Sequence, residues 1–335
     1  MRLKDNYHLF AIITILFWSS AFVFTRLALK FFTPFSLGFL RCLIASLALL
    51  VIAIIIKIKV PQKEDLKWFI LSGFFGFFFY MIVFNAGSVT VTASTASIIL
   101  ATAPVFTTIL AGIIYKEKIR LLQYIAIIIE FAGVGVLTLM NGVFSVNIGL
   151  LWLLIASISI SVYNLLQRKI SKKYSSIQTV VISIWFGTAM LLIFIPNSVG
   201  EIKNAPFIQI VYLLIMGIFC SGLAFVTWTH SLSKAKNTSS VTNYMFITPL
   251  LTTVIGFLLA KETPDYSTII GGSIILIGIF IFNFSEGIIA KVRGKGGERR
   301  VKLEEQGAMS KEQGKDKSKK DALFYSKESN SSLNI

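Results

Sequence analysis

Apolar positions along the chain gather into ten runs with short polar stretches between them: 9–25, 35–56, 68–86, 93–115, 121–140, 148–166, 177–195, 207–228, 241–260 and 269–284. Most are close to the roughly 20 residues with which a helix crosses about 30 Å of hydrocarbon. Alternating strands of a membrane barrel would be about half that length. The pattern predicts an all-α integral membrane protein with ten transmembrane helices. The first run follows Arg2 and Lys4, as the core of a signal peptide would. It lacks a small-residue cleavage site and nine further runs follow, so it reads as a retained helix.

Composition agrees. Of 335 residues, 55% are hydrophobic and 14% charged, with mean hydropathy +0.77, whereas soluble domains carry about 25% charged residues. Disorder, collagen, a coiled coil and a disulfide scaffold are excluded for the bulk of the chain. Past the last run the character changes. Residues 286–335 are rich in Lys, Glu, Gly and Ser, with GKGGERR and KDKSKK stretches, and read as a disordered cytoplasmic tail.

The net charge of +16 raises nucleic acid as a partner, so the placement of the charges decides. The tail holds 12 basic and eight acidic residues and contributes little. With the N-terminus (1–7) taken as cytoplasmic, the inside loops hold thirteen basic residues: Lys57, Lys59, Lys63, Lys67, Lys116, Lys118, Arg120, Arg168, Lys169, Lys172, Lys173, Lys234 and Lys236. The outside loops hold four: Arg26, Lys30, Lys203 and Lys261. This is the positive-inside bias, and it puts both termini in the cytoplasm. It leaves no basic face for nucleic acid. The expected neighbours are the lipid bilayer and a small-molecule substrate, with a homodimer open.

An internal repeat is visible. TAPVFTTILAGIIYKE at 102–117 aligns with ITPLLTTVIGFLLAKE at 247–262, a constant offset of 145. Pro104 pairs with Pro249, Thr107 with Thr252, Thr108 with Thr253, Lys116 with Lys261 and Glu117 with Glu262. Farther out, Asn85 pairs with His230, Ser97 with Thr242 and Gly133 with Gly278, and a three-residue gap brings Arg26 onto Arg168. The repeat spans 8–140 and 147–285, five runs each. An odd number means that the second half enters from the opposite side. Inverted repeats are characteristic of secondary transporters, whose substrate sites lie near mid-membrane between the halves.

These features resemble the EamA-like transporters of the drug/metabolite transporter superfamily. The resemblance covers the chain up to Phe284. It rests on the small-polar run before a mid-helix proline, the Glu 13 residues later and the Gly 16 residues after that, all present twice. Trp18, Ser19 and Arg26 give the first helix the same look. One departure is Ile127, where the second half has Gly272; a local packing change is expected. The resemblance implies a secondary, non-ATP transporter in the plasma membrane of a bacterium. It would move a small organic metabolite or drug by alternating access, often outward. The other classes considered are a membrane enzyme acting on lipid, and a channel or receptor.

Candidate site residues follow. Pro104 and Pro249 remove backbone donors in mid-helix, freeing the carbonyls of Leu100 and Met245; in hydrocarbon these need new partners or a wet cavity. Each kink either lines the substrate path or is a packing kink closed by Ser or Thr. Ser97 and Thr242 lie on small-residue stripes that suit close packing or substrate contact. Arg41 and Glu130, the charges deepest within runs, sit on faces of small residues, turned inward. They read as an ion pair, as a snorkelling Arg41, or as an anion site and a proton site. Glu117 and Glu262 read as interfacial anchors or gating contacts. Trp18, Tyr80, Asn85, Tyr163, Asn164, Trp228, His230, Asn243 and Tyr244 offer rings and polar groups to an organic substrate, or form the interfacial belt. Trp68 and Trp228, at run ends, fit the belt. No Walker loop, metal-ligand cluster, CxxC, GxSxG or HExxH is present, so no cofactor, metal or catalytic chemistry is expected.

Overall fold

The fold is that of a computed structural model, described over residues 7–115, 121–139, 147–234, 241 and 243–282. Glu117 and Thr242, and the tail from 286 on, lie outside the described residues. All regular structure among the described residues is helical. In chain order the helices are α1 (Tyr7–Ala28), α2 (Pro34–Ile55), α3 (Lys63–Ser88), α4 (Ala93–Ile114), α5 (Leu121–Leu139), α6 (Ile148–Ile170), α7 (Ser176–Lys203), α8 (Phe207–Lys234), α9 (Ile247–Ala260) and α10 (Tyr266–Phe282). Within the described residues, seven are long and apolar enough to cross a membrane, and α5, α9 and α10 are shorter apolar helices. Several helices run past the apolar runs of the sequence. α6 continues to Ile170 through Gln167, Arg168 and Lys169, because polar residues with good helix propensity extend a helix as readily as apolar ones.

Helix starts are fixed locally. Thr33, Thr92, Asn147 and Ser175 cap α2, α4, α6 and α7 by accepting a backbone N–H two or three residues on. Each satisfies a donor that the first turn would leave bare. Pro34 opens α2, where its missing N–H costs nothing. Thr33 and Ser175 are separated by the spacing that relates Arg26 to Arg168. Side-chain contacts define the two ends of the bundle. At one, Arg26, Thr33, Ser88, Ala93, Glu201 and Glu262 come together. At the other, Lys173 donates to Asp65 at 2.6 Å and the Lys169 ammonium lies 3.2 Å over the Trp68 ring. Its bond to Asp65 holds the Lys173 ammonium above the ordinary lysine range.

Close approaches between helices are made by glycine. A Cβ at Gly73 of α3 would stand 2.5 Å from the Ser183 carbonyl oxygen and 2.9 Å from Phe186 Cβ, both on α7. Gly217 of α8 makes the matching approach to α2, 3.2 Å from the Arg41 carbonyl oxygen and 2.5 Å from Ile44 Cγ2. Ser183 and Phe186 stand 142 residues after Arg41 and Ile44. On α5 and α10 the exchange is stricter. Gly133 faces Gly271 and Ile275, while Gly278 faces Ala126 and Glu130; each member of one contact is 145 residues from its counterpart in the other. Ser46 of α2 and Thr188 of α7, themselves 142 residues apart, share a hydrogen bond of 2.7 Å.

Backbone atoms cannot retreat as a flexible side chain can, so Gly73→Ala is expected to destabilise the purified protein by about 1–3 kcal/mol through overpacking. Gly135, with open space around its added Cβ, is the control. Gly135→Ala should leave the melting temperature unchanged or slightly raised, and a melting curve in detergent compares the two.

Candidate functional site

Both proline-bearing helices break where the sequence places the prolines. α4 is interrupted by a turn at Ala101 and Thr102, two residues before Pro104. α9 is entered through a 3-10 turn at Asn243–Phe246, ahead of Pro249. A ring without an N–H cannot continue the ladder, and hydroxyls take up carbonyls around it. Thr108 Oγ1 donates to the Pro104 carbonyl at 3.0 Å, and Thr253 Oγ1 donates to the Pro249 carbonyl at 2.8 Å. The Ala103 carbonyl accepts from Thr107 and from Ser161 of α6.

The two breaks face one central cavity of about 50 Å³, room for a few waters at roughly 10–15 Å³ each. Ser97, Leu100 and Ala101 line it from the first break, Met245 and Thr248 from the second. Trp18 and Phe22 of α1, Tyr80 and Phe84 of α3, and Phe225 of α8 supply rings. Tyr80 stacks on Phe84 with centroids 5.3 Å apart, and Trp18 meets Phe225 at 5.4 Å.

Arg41 is the charged residue of this lining and is 3% exposed. Nη1 donates to Thr25 Oγ1 at 3.0 Å and Nη2 to Ser221 Oγ at 3.3 Å, while Nε has no hydrogen-bond partner. Ser221 and Cys220 reach the site because α8 widens to a π-helical stretch at Met216–Leu223. α3 widens at the corresponding place, Phe74–Phe78, and Gly76 there packs onto the Tyr163 ring. The position equivalent to Arg41 is Ser183, which accepts from Gln167 at 3.3 Å; Gln167 is the counterpart of Thr25. The second half thus carries a neutral version of the same node.

Between the cavity and one end of the bundle lies a charged knot. Lys261 takes φ 55, ending α9 in a left-handed turn that sends Glu262 across to Arg26, with Nε–Oε1 at 3.0 Å. Glu262 Oε2 accepts the Ala93 N–H at the start of α4. Arg26 Nη1 donates to the Ser88 and Val89 carbonyls at the end of α3. One ion pair ties four elements together.

Other candidates lie elsewhere. Glu130 is buried against Gly278 on α10, and the Arg41 guanidinium has two hydroxyl partners, so of the alternatives for this pair the ion pair is not the one formed. Asn85 is buried and donates to the Pro34 carbonyl at 3.0 Å. Tyr163 is fully buried among Phe77, Phe225 and Gly76. Asn164 accepts from Trp228 Nε1 at 3.4 Å. Trp228 is 1% exposed and packs on Trp18 at 4.9 Å. It is a core residue and not part of an interfacial belt, because α8 continues past it to Lys234. Tyr244 bonds His8 near the start of α1. Asn243 begins the 3-10 turn. Of the candidate residues named from the sequence, Trp18, Arg41, Tyr80 and Ser97 line the cavity. Phe22, Phe84 and Phe225 lie in apolar runs without a motif, so nothing in the sequence singles them out; Thr248 lies directly before Pro249 in the repeated segment.

A helical bundle of this length and polarity, broken at two prolines around one central cavity, is a multi-pass membrane protein. The family model of the EamA-like transporter family matches residues 6–139 and again 147–284, and the chain belongs to that family. It is 32% identical over 263 residues to Uncharacterized transporter YdfC of Bacillus subtilis, covering 78% of this chain and 86% of that one. It is 26% identical over 272 residues to the "probable terminal-alkyne amino-acid exporter" of Streptantibioticus cattleyicolor, 81% and 91% of the two chains. One solved crystal structure, 17% identical, superposes with a TM-score of 0.58 over 83% of this chain and 97% of that one, a likeness of fold.

Removing the hydroxyls that bond the proline carbonyls should cost little singly, as polar contacts inside membrane proteins average about 0.6 kcal/mol. Thr108→Val is expected to lower stability by about that much. Thr253→Val should cost more, because Thr253 also bonds Ser94 at 3.0 Å. Unfolding of the two variants in mixed micelles measures the difference.

Proposed function

We propose that the chain is a secondary transporter, not an enzyme, that moves a small organic metabolite or drug through the central cavity by alternating access, outward across a bacterial plasma membrane. The two halves, 8–140 and 147–285, form an inverted repeat of five membrane-crossing helices each. The observation that carries the reading is the exchange of contacts between repeat-related residues. Gly133 on Ile275 answers Gly278 on Glu130, and Ser46 meets its own counterpart Thr188. Such exchange is what a two-fold relation between halves produces. The directions of α1 and α6 support inversion. α1 ends, and α6 begins, at the end of the bundle where Arg26, Ser88 and Asn147 gather.

The charges support the orientation. Lys57, Lys59, Lys63, Lys67, Lys169, Lys172 and Lys173 lie at the end opposite Arg26 and Glu262, which makes that end cytoplasmic. The Arg26–Glu262 knot is then the outer gate, closed. Its partners belong to both halves, so rocking one half against the other breaks it. The breaks in α4 and α9 lie where broken helices of secondary transporters meet substrate. The family's relatives are named transporters, and the amino-acid exporter among them favours a small organic substrate and the outward direction.

Uptake and efflux of a labelled metabolite panel in proteoliposomes tests transport. Saturable movement of at least one compound, without ATP, is expected; movement of none, by a protein shown to be folded, would overturn the reading. Glu262→Gln removes the charge-assisted bonds, each worth about 1.5–3 kcal/mol. It should raise the labelling of a cysteine placed at Ser97 by an impermeant reagent from outside. Unchanged labelling would remove Glu262 from the gate.

A further inference from the structure

We infer that the central cavity recognises an organic anion, a carboxylate on an apolar or aromatic body, and that Arg41 is the residue that seats it. This rests on the transporter reading and names its substrate class.

The argument begins with an unbalanced charge. A guanidinium stays protonated at any physiological pH, and a buried one is expensive without a counter-charge. Arg41 is buried, and its protein partners are two neutral hydroxyls, Thr25 and Ser221. Among the described residues no Asp or Glu lines the cavity. Glu130 faces Gly278 on α10, and Glu262 is engaged by Arg26. The missing negative charge is therefore one that the site is built to receive from outside the chain.

The geometry selects the form of that charge. Nη1 is held by Thr25, so one edge of the guanidinium is committed. The other edge carries the unpartnered Nε–H and Nη2, whose bond to Ser221 is long at 3.3 Å. Nε and Nη2 together present the two parallel donors that a carboxylate accepts in bidentate fashion. The rest of the lining selects the body. Trp18, Phe22, Phe84 and Phe225, with Met245 and Leu100, surround the space. They suit an aromatic or branched apolar group rather than a polyhydroxylated one. The cavity in this state is too small for such a molecule, so binding must draw the lining helices apart.

The full chain, purified in detergent, tests this by binding alone, so the outcome is separate from that of the transport assay. Phenylacetate is compared with phenylacetamide and phenethylamine by isothermal titration and by shift of the melting temperature. These share one ring and differ in charge. The acid is expected to bind and to raise the melting temperature, with the amide and the amine at least tenfold weaker. Arg41→Gln should weaken the acid at least about thirtyfold, the scale set by truncating one side of a buried charge pair, and leave the amide unchanged. If Arg41→Gln does not fold, the wild-type comparison of acid with amide decides by itself. Equal binding of acid and amide, preference for the amine, or acid binding that survives Arg41→Gln would each overturn the inference. Transport of an uncharged or cationic compound would overturn it too, while leaving the transporter reading in place.

Discussion

Helices in an apolar solvent gain little by hiding apolar surface from one another. What holds this bundle together is how closely backbones can approach. The glycines decide that. Gly73, Gly87, Gly133, Gly217 and Gly278 each stand where a single added carbon would meet a backbone atom or a buried side chain of the facing helix within about 3 Å. Around those contacts dispersion is dense, and small hydroxyls reach across: Ser46 to Thr188, Thr14 to Thr227, Thr102 to Ser157. Everything more specialised in the molecule is arranged between these fixed points.

The cavity is the place where close approach is given up. The proline breaks prevent α4 and α9 from packing as continuous cylinders, and the π-helical stretches of α3 and α8 turn extra residues inward. Such bulges recur at functional sites because they shift a helix face by one position. Here the shift in α8 brings Ser221 to Arg41. At both breaks a hydroxyl one turn on, at the same repeat position, donates back to the proline's own carbonyl: Thr108 to Pro104 and Thr253 to Pro249.

Much of this was legible in the sequence. All ten apolar runs correspond to helices, seven of them long and apolar enough to cross a membrane within the described residues. The breaks fall just ahead of the prolines, because a missing donor is a local fact that the residue type states. The burial of Arg41 and Glu130 followed from the small residues beside them. Which helix each charge faces did not follow. That depends on neighbour order in the bundle, and no run announces its neighbour, so the sequence does not choose among the readings of Arg41 and Glu130. Trp228 departs from the interfacial belt for a different reason. The apolar run ends near it, but the helix does not. The rings of the cavity were hidden because a lining phenylalanine and a lipid-facing one are the same letter in the same kind of run.

The node around Arg41 has one more implication. Around its counterpart Ser183, Gln167 donates to Ser183 and to Ser72, and no charge is present among these three side chains. In the proposed alternating-access cycle, two perfectly matched halves would give inward-open and outward-open forms of equal free energy. With the guanidinium on one half only, the proposed rocking would move it into a different environment without moving an equal charge back. On that reading the empty protein would have a preferred resting side. A negative ligand seated on Arg41 would alter that preference by neutralising its cause.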